Sequence, residues 1–168
     1  MAGFHDQLQD CLPDLWRYAF ALTRDRVRAD DLVQDCVERA LRKRKLWMPG
    51  RPLKPWLMKM LLNIFRNGYA AARTGQFLPL DENVADTAAR ADDDSRLELV
   101  AMARALEKLP DEQREALLLV VVGGLDYEQA ARSLSIPVGT LMSRISRARA
   151  KLRKWRAESE LPPVRSVP

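Results

Sequence analysis

Apolar residues recur at intervals of three and four along most of this 168-residue chain. The three-and-four spacing places apolar side chains on one face of an α-helix, whereas a half-buried β-strand needs strict alternation. We therefore predict an all-α fold. Sheets, barrels and sandwiches are disfavoured by the same pattern.

The helical pattern falls into two blocks, which predicts two small helical domains. Residues 1–73 form the first block and residues 96–157 the second. Between them, residues 74–95 are acidic and lack apolar periodicity, which indicates a flexible linker; the alternative is an acidic arm that folds over basic surfaces when nucleic acid is absent. The proline-rich residues 158–168 are predicted to be a disordered tail.

The inventory of reactive side chains disfavours an enzyme. The chain has two cysteines, Cys11 and Cys36, and a single histidine, His5. This set is too small for a disulfide framework, a four-ligand zinc site or a serine nucleophile with its base. We expect no catalytic residue, metal or cofactor, and we interpret both cysteines as small buried apolar residues rather than redox sensors.

The hydropathy pattern disfavours membrane insertion. The longest apolar stretch is far below the roughly 20 residues that span a bilayer, and the N-terminus lacks the features of a signal peptide. We therefore expect a cytoplasmic protein. Its 28 Lys and Arg against 23 Asp and Glu favour a polyanionic partner.

A basic amphipathic helix is predicted from about Val138 to Arg156. Leu141, Ile145 and Ala148 fall on one narrow stripe that must be buried. The opposite face is polar and basic and can contact phosphates and base edges. We call its members the recognition set: Thr140, Ser143, Arg144, Arg147 and Lys151. A short helix and a tight turn precede this helix, which predicts a helix-turn-helix that reads the major groove of DNA.

The segment DYEQAARSLSIPVGTLMSRISRARAKL resembles region 4 of bacterial sigma factors, especially the extracytoplasmic-function (ECF) group. The resemblance implies that Thr140, Ser143, Arg144 and Arg147 address the minus-thirty-five promoter element. Two positions depart from the family. Ser135 stands where many members have glycine in the turn, and Met142 where many have a basic residue.

The segment LWRYAFALTRDRVRADDLVQDCVERALRKRK resembles ECF sigma region 2. Helical spacing places Leu32 and Cys36 inward and leaves an acidic outer surface. The resemblance implies that three residues of this surface bind the clamp helices of the largest polymerase subunit; from spacing alone, an ordinary solvated face is the alternative. We call these residues the docking face: Asp31, Gln34 and Asp35.

Downstream of the docking face, basic residues surround Trp47 and Trp56. Phosphate attraction combined with stacking rings favours single-stranded DNA as a partner. Trp56 is better interpreted as a core residue, whereas the choice between core packing and base stacking stays open for Trp47. In the sigma family the corresponding loop and helix capture the non-template strand of the minus-ten element. The residues implied here form the minus-ten set: Trp47, Arg51, Asn63, Arg66 and Asn67.

Together these features predict an ECF-type sigma factor of the kind that acts in stress responses. Its expected partners are core RNA polymerase, promoter DNA and an anti-sigma factor. One alternative is a sigma-like decoy that titrates an anti-sigma factor. Another is a stand-alone helix-turn-helix regulator, which should dimerise and would need no docking face.

Overall fold

The computed structural model describes residues 3–72 and 93–158, with side chains for residues 3–68 and 101–158. Within these ranges the chain is helical and has no strand. The elements are α1 (Phe4–Thr23), α2 (Arg26–Arg42), a 3-10 turn (Arg44–Leu46), α3 (Leu53–Ala72), α4 (Asp93–Lys108), α5 (Asp111–Val121), α6 (Tyr127–Leu134) and α7 (Val138–Glu158).

The all-α prediction is confirmed. Most of the predicted linker, residues 74–92, lies outside the described residues, as does the tail beyond Glu158. The last three residues of the predicted linker are helical, because α4 begins at Asp93. The last residue of the helix before the tail is Glu158, two residues beyond the predicted end.

The first three helices pack on one another around a shared apolar core. Each contributes one buried stripe, as the three-and-four spacing requires. Leu15 of α1, Cys36 of α2 and Leu61 of α3 are all completely inaccessible to solvent. The start of α2 is fixed by Asp25, whose side chain accepts a hydrogen bond of 2.9 Å from the backbone N–H of Arg28.

Helices α5, α6 and α7 form the second packed group. A capping box begins α6: the Asp126 side chain accepts from the backbone N–H of Gln129 at 2.7 Å, and the Gln129 side chain accepts from that of Asp126 at 3.1 Å. Ser135 ends α6 in the left-handed conformation, with φ of 55°. The chain reverses there into α7, which completes the predicted helix-turn-helix.

The two groups of helices touch directly, which the sequence did not predict. Helix α3 packs on α6, and α1 packs on α5. The hydroxyl of Ser133 donates to the backbone carbonyl of Pro55 at 3.0 Å, and the ammonium group of Lys59 donates to the hydroxyl of Ser135 at 3.1 Å. Arg66 of α3 forms an ion pair with Glu115 of α5.

Candidate nucleic-acid interface

Helix α7 is anchored by the stripe that the sequence indicated. Leu141, Ile145 and Ala148 are 0%, 2% and 0% exposed. Their burial fixes the rotation of α7 about its axis, because the three side chains can face the core in only one orientation. The opposite face of α7 is therefore held outward.

The recognition set lies on that outward face. Ser143 and Arg147 are exposed, and the other three members are partly buried. Helical geometry places all five side chains within a sector of about 100° round the helix axis. Met142, one of the two departures from the family pattern, is 51% exposed.

The two central arginines of the recognition set differ in their surroundings. Arg144 lies against α5, where its Nη2 atom is 3.4 Å from Oε2 of Glu112, and its side chain is 21% exposed. Arg147 is exposed and forms no ion pair with any side chain that the structure describes. Among the described side chains the charge of Arg147 is therefore uncompensated, whereas that of Arg144 is partly balanced.

The docking face lies on α2 as predicted from spacing. Asp31, Gln34 and Asp35 are all exposed, and Leu32 and Cys36 are buried on the opposite side. The neighbouring carboxylate of Asp30 is fixed by Trp16, whose indole N–H donates to it at 2.7 Å. The Trp16 ring stacks on Phe20 with centroids 5.2 Å apart, so packed aromatic rings support this edge of the acidic surface.

The minus-ten set is divided between two places. Trp47 and Arg51 lie in the loop before α3, whereas Asn63, Arg66 and Asn67 are exposed in its second half. The rise of an α-helix separates the start of α3 from Asn63 by about 15 Å. The structure therefore does not gather these residues into one compact patch, although an extended strand could contact both parts.

Trp47 has a structural contact that the sequence did not indicate. Its indole N–H donates to the backbone carbonyl of Arg51 at 3.1 Å and closes the loop. Its ring is partly buried and packs edge-on against Phe4, with centroids 5.7 Å apart. Trp56 packs against the core, as predicted.

The loop before α3 and helix α6 enclose a cleft of about 480 Å³ whose lining includes Trp47, Trp56 and Arg132.

Arg66 is engaged by the other half of the chain. Its Nε atom donates to Oε1 of Glu115 at 3.1 Å, and its Nη2 atom bonds to Oε2 of the same carboxylate. Glu115 is only 5% exposed. The hydrogen bond to Glu115 raises the pKa of Arg66, which outweighs the opposing effect of burial. No sequence signal identified Glu115 as a partner.

Both cysteines are buried, and the Sγ atom of Cys36 donates to the backbone carbonyl of Leu57 at 3.5 Å. Burial raises the pKa of Cys36 to about 12 and also raises that of Cys11. Thiolates, the reactive form, are therefore scarce at neutral pH.

Among the residues that the structure describes, no group of three or more side chains could hold a metal ion, and no helix is long and apolar enough to cross a membrane.

The raised pKa of Cys36 predicts that stability falls in alkali. Above the ordinary value of 9.0 the unfolded chain loses this proton, while the folded chain retains it until about 12. The free energy of unfolding should then fall by up to about 1.4 kcal/mol per pH unit from this group. Denaturant unfolding at pH of about 8 and about 10.5 should show a smaller loss for Cys36→Ala than for the parent. Equal losses would contradict the assignment.

Comparison with known proteins gives matches over both halves. Residues 99–152 match the family model of Sigma-70, region 4, and residues 8–62 match that of the Sigma2 domain of PhyR. The chain is 39% identical over 151 residues to the ECF RNA polymerase sigma factor EcfG of Rhodopseudomonas palustris, covering 89% of this chain and 83% of that relative. It is 36% identical over 134 residues to the RNA polymerase sigma factor CnrH of Cupriavidus metallidurans, covering 73% of this chain and 70% of CnrH.

A solved structure matches the fold of both halves together. The sigma factor RpoE of Bartonella quintana, crystallised with the anti-sigma factor NepR, superposes with a TM-score of 0.72 at 31% identity. The match covers 90% of this chain and 94% of the RpoE chain. The likeness therefore extends over nearly the whole length of both chains.

Proposed function

This chain belongs to the ECF group of RNA polymerase sigma factors, and we propose that it binds core RNA polymerase, recognises minus-thirty-five and minus-ten promoter elements, and promotes transcription initiation. It would act through binding alone and would carry out no chemistry itself. In this proposal residues 1–73 are the region 2-like domain and residues 96–157 the region 4-like domain. The two family models match within these ranges.

The observation that supports the proposal most strongly is the geometry of α7. Three buried residues hold one side of the helix against α5 and α6, and the recognition set projects from the other. A recognition helix must be rigid about its axis to place side chains on base edges. We propose that the recognition set contacts the minus-thirty-five duplex and that Arg147 is its principal unpaired cation.

The docking face supports a second contact, with the polymerase. Asp31 and Asp35 are exposed on a helix whose core-facing side is fully packed. A fixed acidic surface of this kind suits a basic protein partner, since complementary charges favour encounter and orientation. We propose the clamp helices of the largest polymerase subunit as that partner. A stand-alone helix-turn-helix regulator would have no use for this surface.

The minus-ten set and an anti-sigma factor complete the proposal. Arg51 is exposed in the loop, and three polar residues of α3 continue the surface that an unpaired strand would follow. An anti-sigma factor is proposed as a regulatory partner because the similar RpoE structure contains one.

Run-off transcription with purified core polymerase tests this function. The templates would carry randomised upstream DNA. We expect transcripts only when the chain is present. The transcribed templates should be enriched in two short sequence blocks that are separated by a constant distance. Binding of duplex DNA without transcripts would instead favour a stand-alone regulator. A chain that binds an anti-sigma factor but neither core polymerase nor DNA would be a decoy.

A further inference from the structure

We propose that Glu115 is an internal competitor for DNA: it holds Arg66 in a closed arrangement of the two halves, and this ion pair must open before Arg66 can contact the minus-ten strand. The inference rests on the proposed role of Arg66 and extends it to regulation. The chain would then exist in a closed and an open form, and the closed form would keep part of the minus-ten set occupied.

The geometry of the pair supports competition with a phosphate. The Nε and Nη2 atoms of Arg66 both bond to the Glu115 carboxylate, so two of the five guanidinium N–H donors are in use. This two-pronged arrangement is also the one by which arginine binds phosphate. The carboxylate balances the arginine charge as well, which removes the attraction that would draw in a DNA strand.

The burial of the Glu115 carboxylate explains why the ion pair would keep the two halves closed. The Glu115 side chain is 6% exposed and that of Arg66 is 42% exposed, so the carboxylate depends on this partner for compensation. A buried carboxylate without a cation is costly, whereas an exposed ion pair contributes little. Hydrogen bonds from Ser133 to Pro55 and from Lys59 to Ser135 hold the same two halves together nearby.

Tyr18 provides an opposing cost that keeps the closed form reversible. It is fully buried, and its hydroxyl has no hydrogen-bond partner among the described atoms. Burial, followed by the negative charge of Glu115, raises the pKa of Tyr18 well above its ordinary value. The hydroxyl therefore stays protonated, and leaving it unsatisfied makes the closed form less favourable than its contacts alone would suggest.

The distance between the two halves of the 168-residue chain tests the proposal without DNA or polymerase. Spin labels would be placed at Val27→Cys and Val121→Cys, which are 69% and 62% exposed. The native thiols are buried and should label poorly. Pulsed electron paramagnetic resonance would compare the labelled parent with Glu115→Gln, which keeps the shape of the side chain and removes its charge.

We expect Glu115→Gln to raise the ratio of open to closed molecules about tenfold, because a charge-assisted hydrogen bond is roughly twice as strong as a neutral one. The matched control is Glu112→Gln, the same change one helical turn earlier, where the carboxylate is 71% exposed and forms an ion pair with Arg144 of the same half. The charge of Glu112 also acts on Arg66, but more weakly than that of Glu115. This control should therefore change the distances much less. Affinity for a minus-ten single strand should rise more for Glu115→Gln than for Glu112→Gln.

The proposal would be overturned if Glu115→Gln gave the parental distances, or if Glu112→Gln opened the chain equally. Circular dichroism would establish that each variant is folded. If Glu115→Gln loses helicity, the double variant Arg66→Glu with Glu115→Arg, which exchanges the two charges, replaces it in the test. Parental distances in the double variant would support the ion pair, and an open chain would refute it. Failure of the proposed function is separate, since the parent would then yield no run-off transcript whatever its distances.

Discussion

Replacing Asp31 and Asp35 together by lysine is expected to abolish binding to core RNA polymerase. Both side chains are exposed on α2, and Leu32 and Cys36 fill its opposite side, so the substitutions open no cavity in the core. Reversing two charges at the centre of a charge-complementary interface should weaken binding by at least about a hundredfold. Fluorescence anisotropy with labelled chain and purified core enzyme would measure the loss.

The matched control for this variant is Asp10→Lys with Glu128→Lys, which changes the net charge by the same amount at exposed positions outside the docking face. The control should bind core polymerase like the parent. Duplex binding should persist in both variants, and circular dichroism should show unchanged helicity. A docking-face variant that binds as well as the parent would mean that this surface is only solvated, and an unfolded one would mean that the residues are structural.

Replacing Arg147 by alanine is expected to weaken binding to promoter duplex more than replacing Arg144. Arg147 is exposed with its charge uncompensated among the described side chains, whereas Arg144 is already paired with Glu112. If Arg147 makes a bidentate contact with guanine, its loss removes about 1–3 kcal/mol of discrimination, which is roughly a 5- to 160-fold change in the ratio of the affinities for the promoter and scrambled duplexes. Titration of promoter and scrambled duplexes over a range of salt concentrations would measure it.

The control for Arg147 is Arg153→Ala, an exposed cation near the C-terminal end of α7, away from the end that enters the groove. Its loss should be smaller. Equal losses of Arg147→Ala on both duplexes, with a salt slope lower by about one, would assign Arg147 to a phosphate. A larger loss for Arg144→Ala would mean that DNA displaces Glu112 easily.

Spacing in the sequence was sufficient to predict the helices and the two faces that matter most. Leu141, Ile145 and Ala148 recur with helical periodicity, and their burial fixes where the recognition set points. The docking face followed from the same reasoning on α2. Periodicity predicts these faces correctly because each of the two helices has one buried side and one solvent-exposed side.

The contact between the halves could not be predicted in this way. Periodicity reports that a side chain is buried but not what covers it, and Ala116, Leu117, Leu118 and Leu119 are all buried on successive sides of α5. That continuous apolar run was the available signal of a second neighbour. Glu115 and Tyr18 carry polar atoms into this region. Their spacing in the sequence does not identify Arg66 as the partner of Glu115, nor does it predict that the Tyr18 hydroxyl finds no partner among the described atoms.

Ser135 connects the shape of the DNA-reading motif to the other half of the protein. Its left-handed backbone costs a residue other than glycine about 1 kcal/mol. Its hydroxyl accepts the hydrogen bond from Lys59 of α3, a contact that glycine has no side chain to make. This one residue therefore has two structural effects: glycine would relax the turn but would also remove the hydrogen bond that ties the turn to α3.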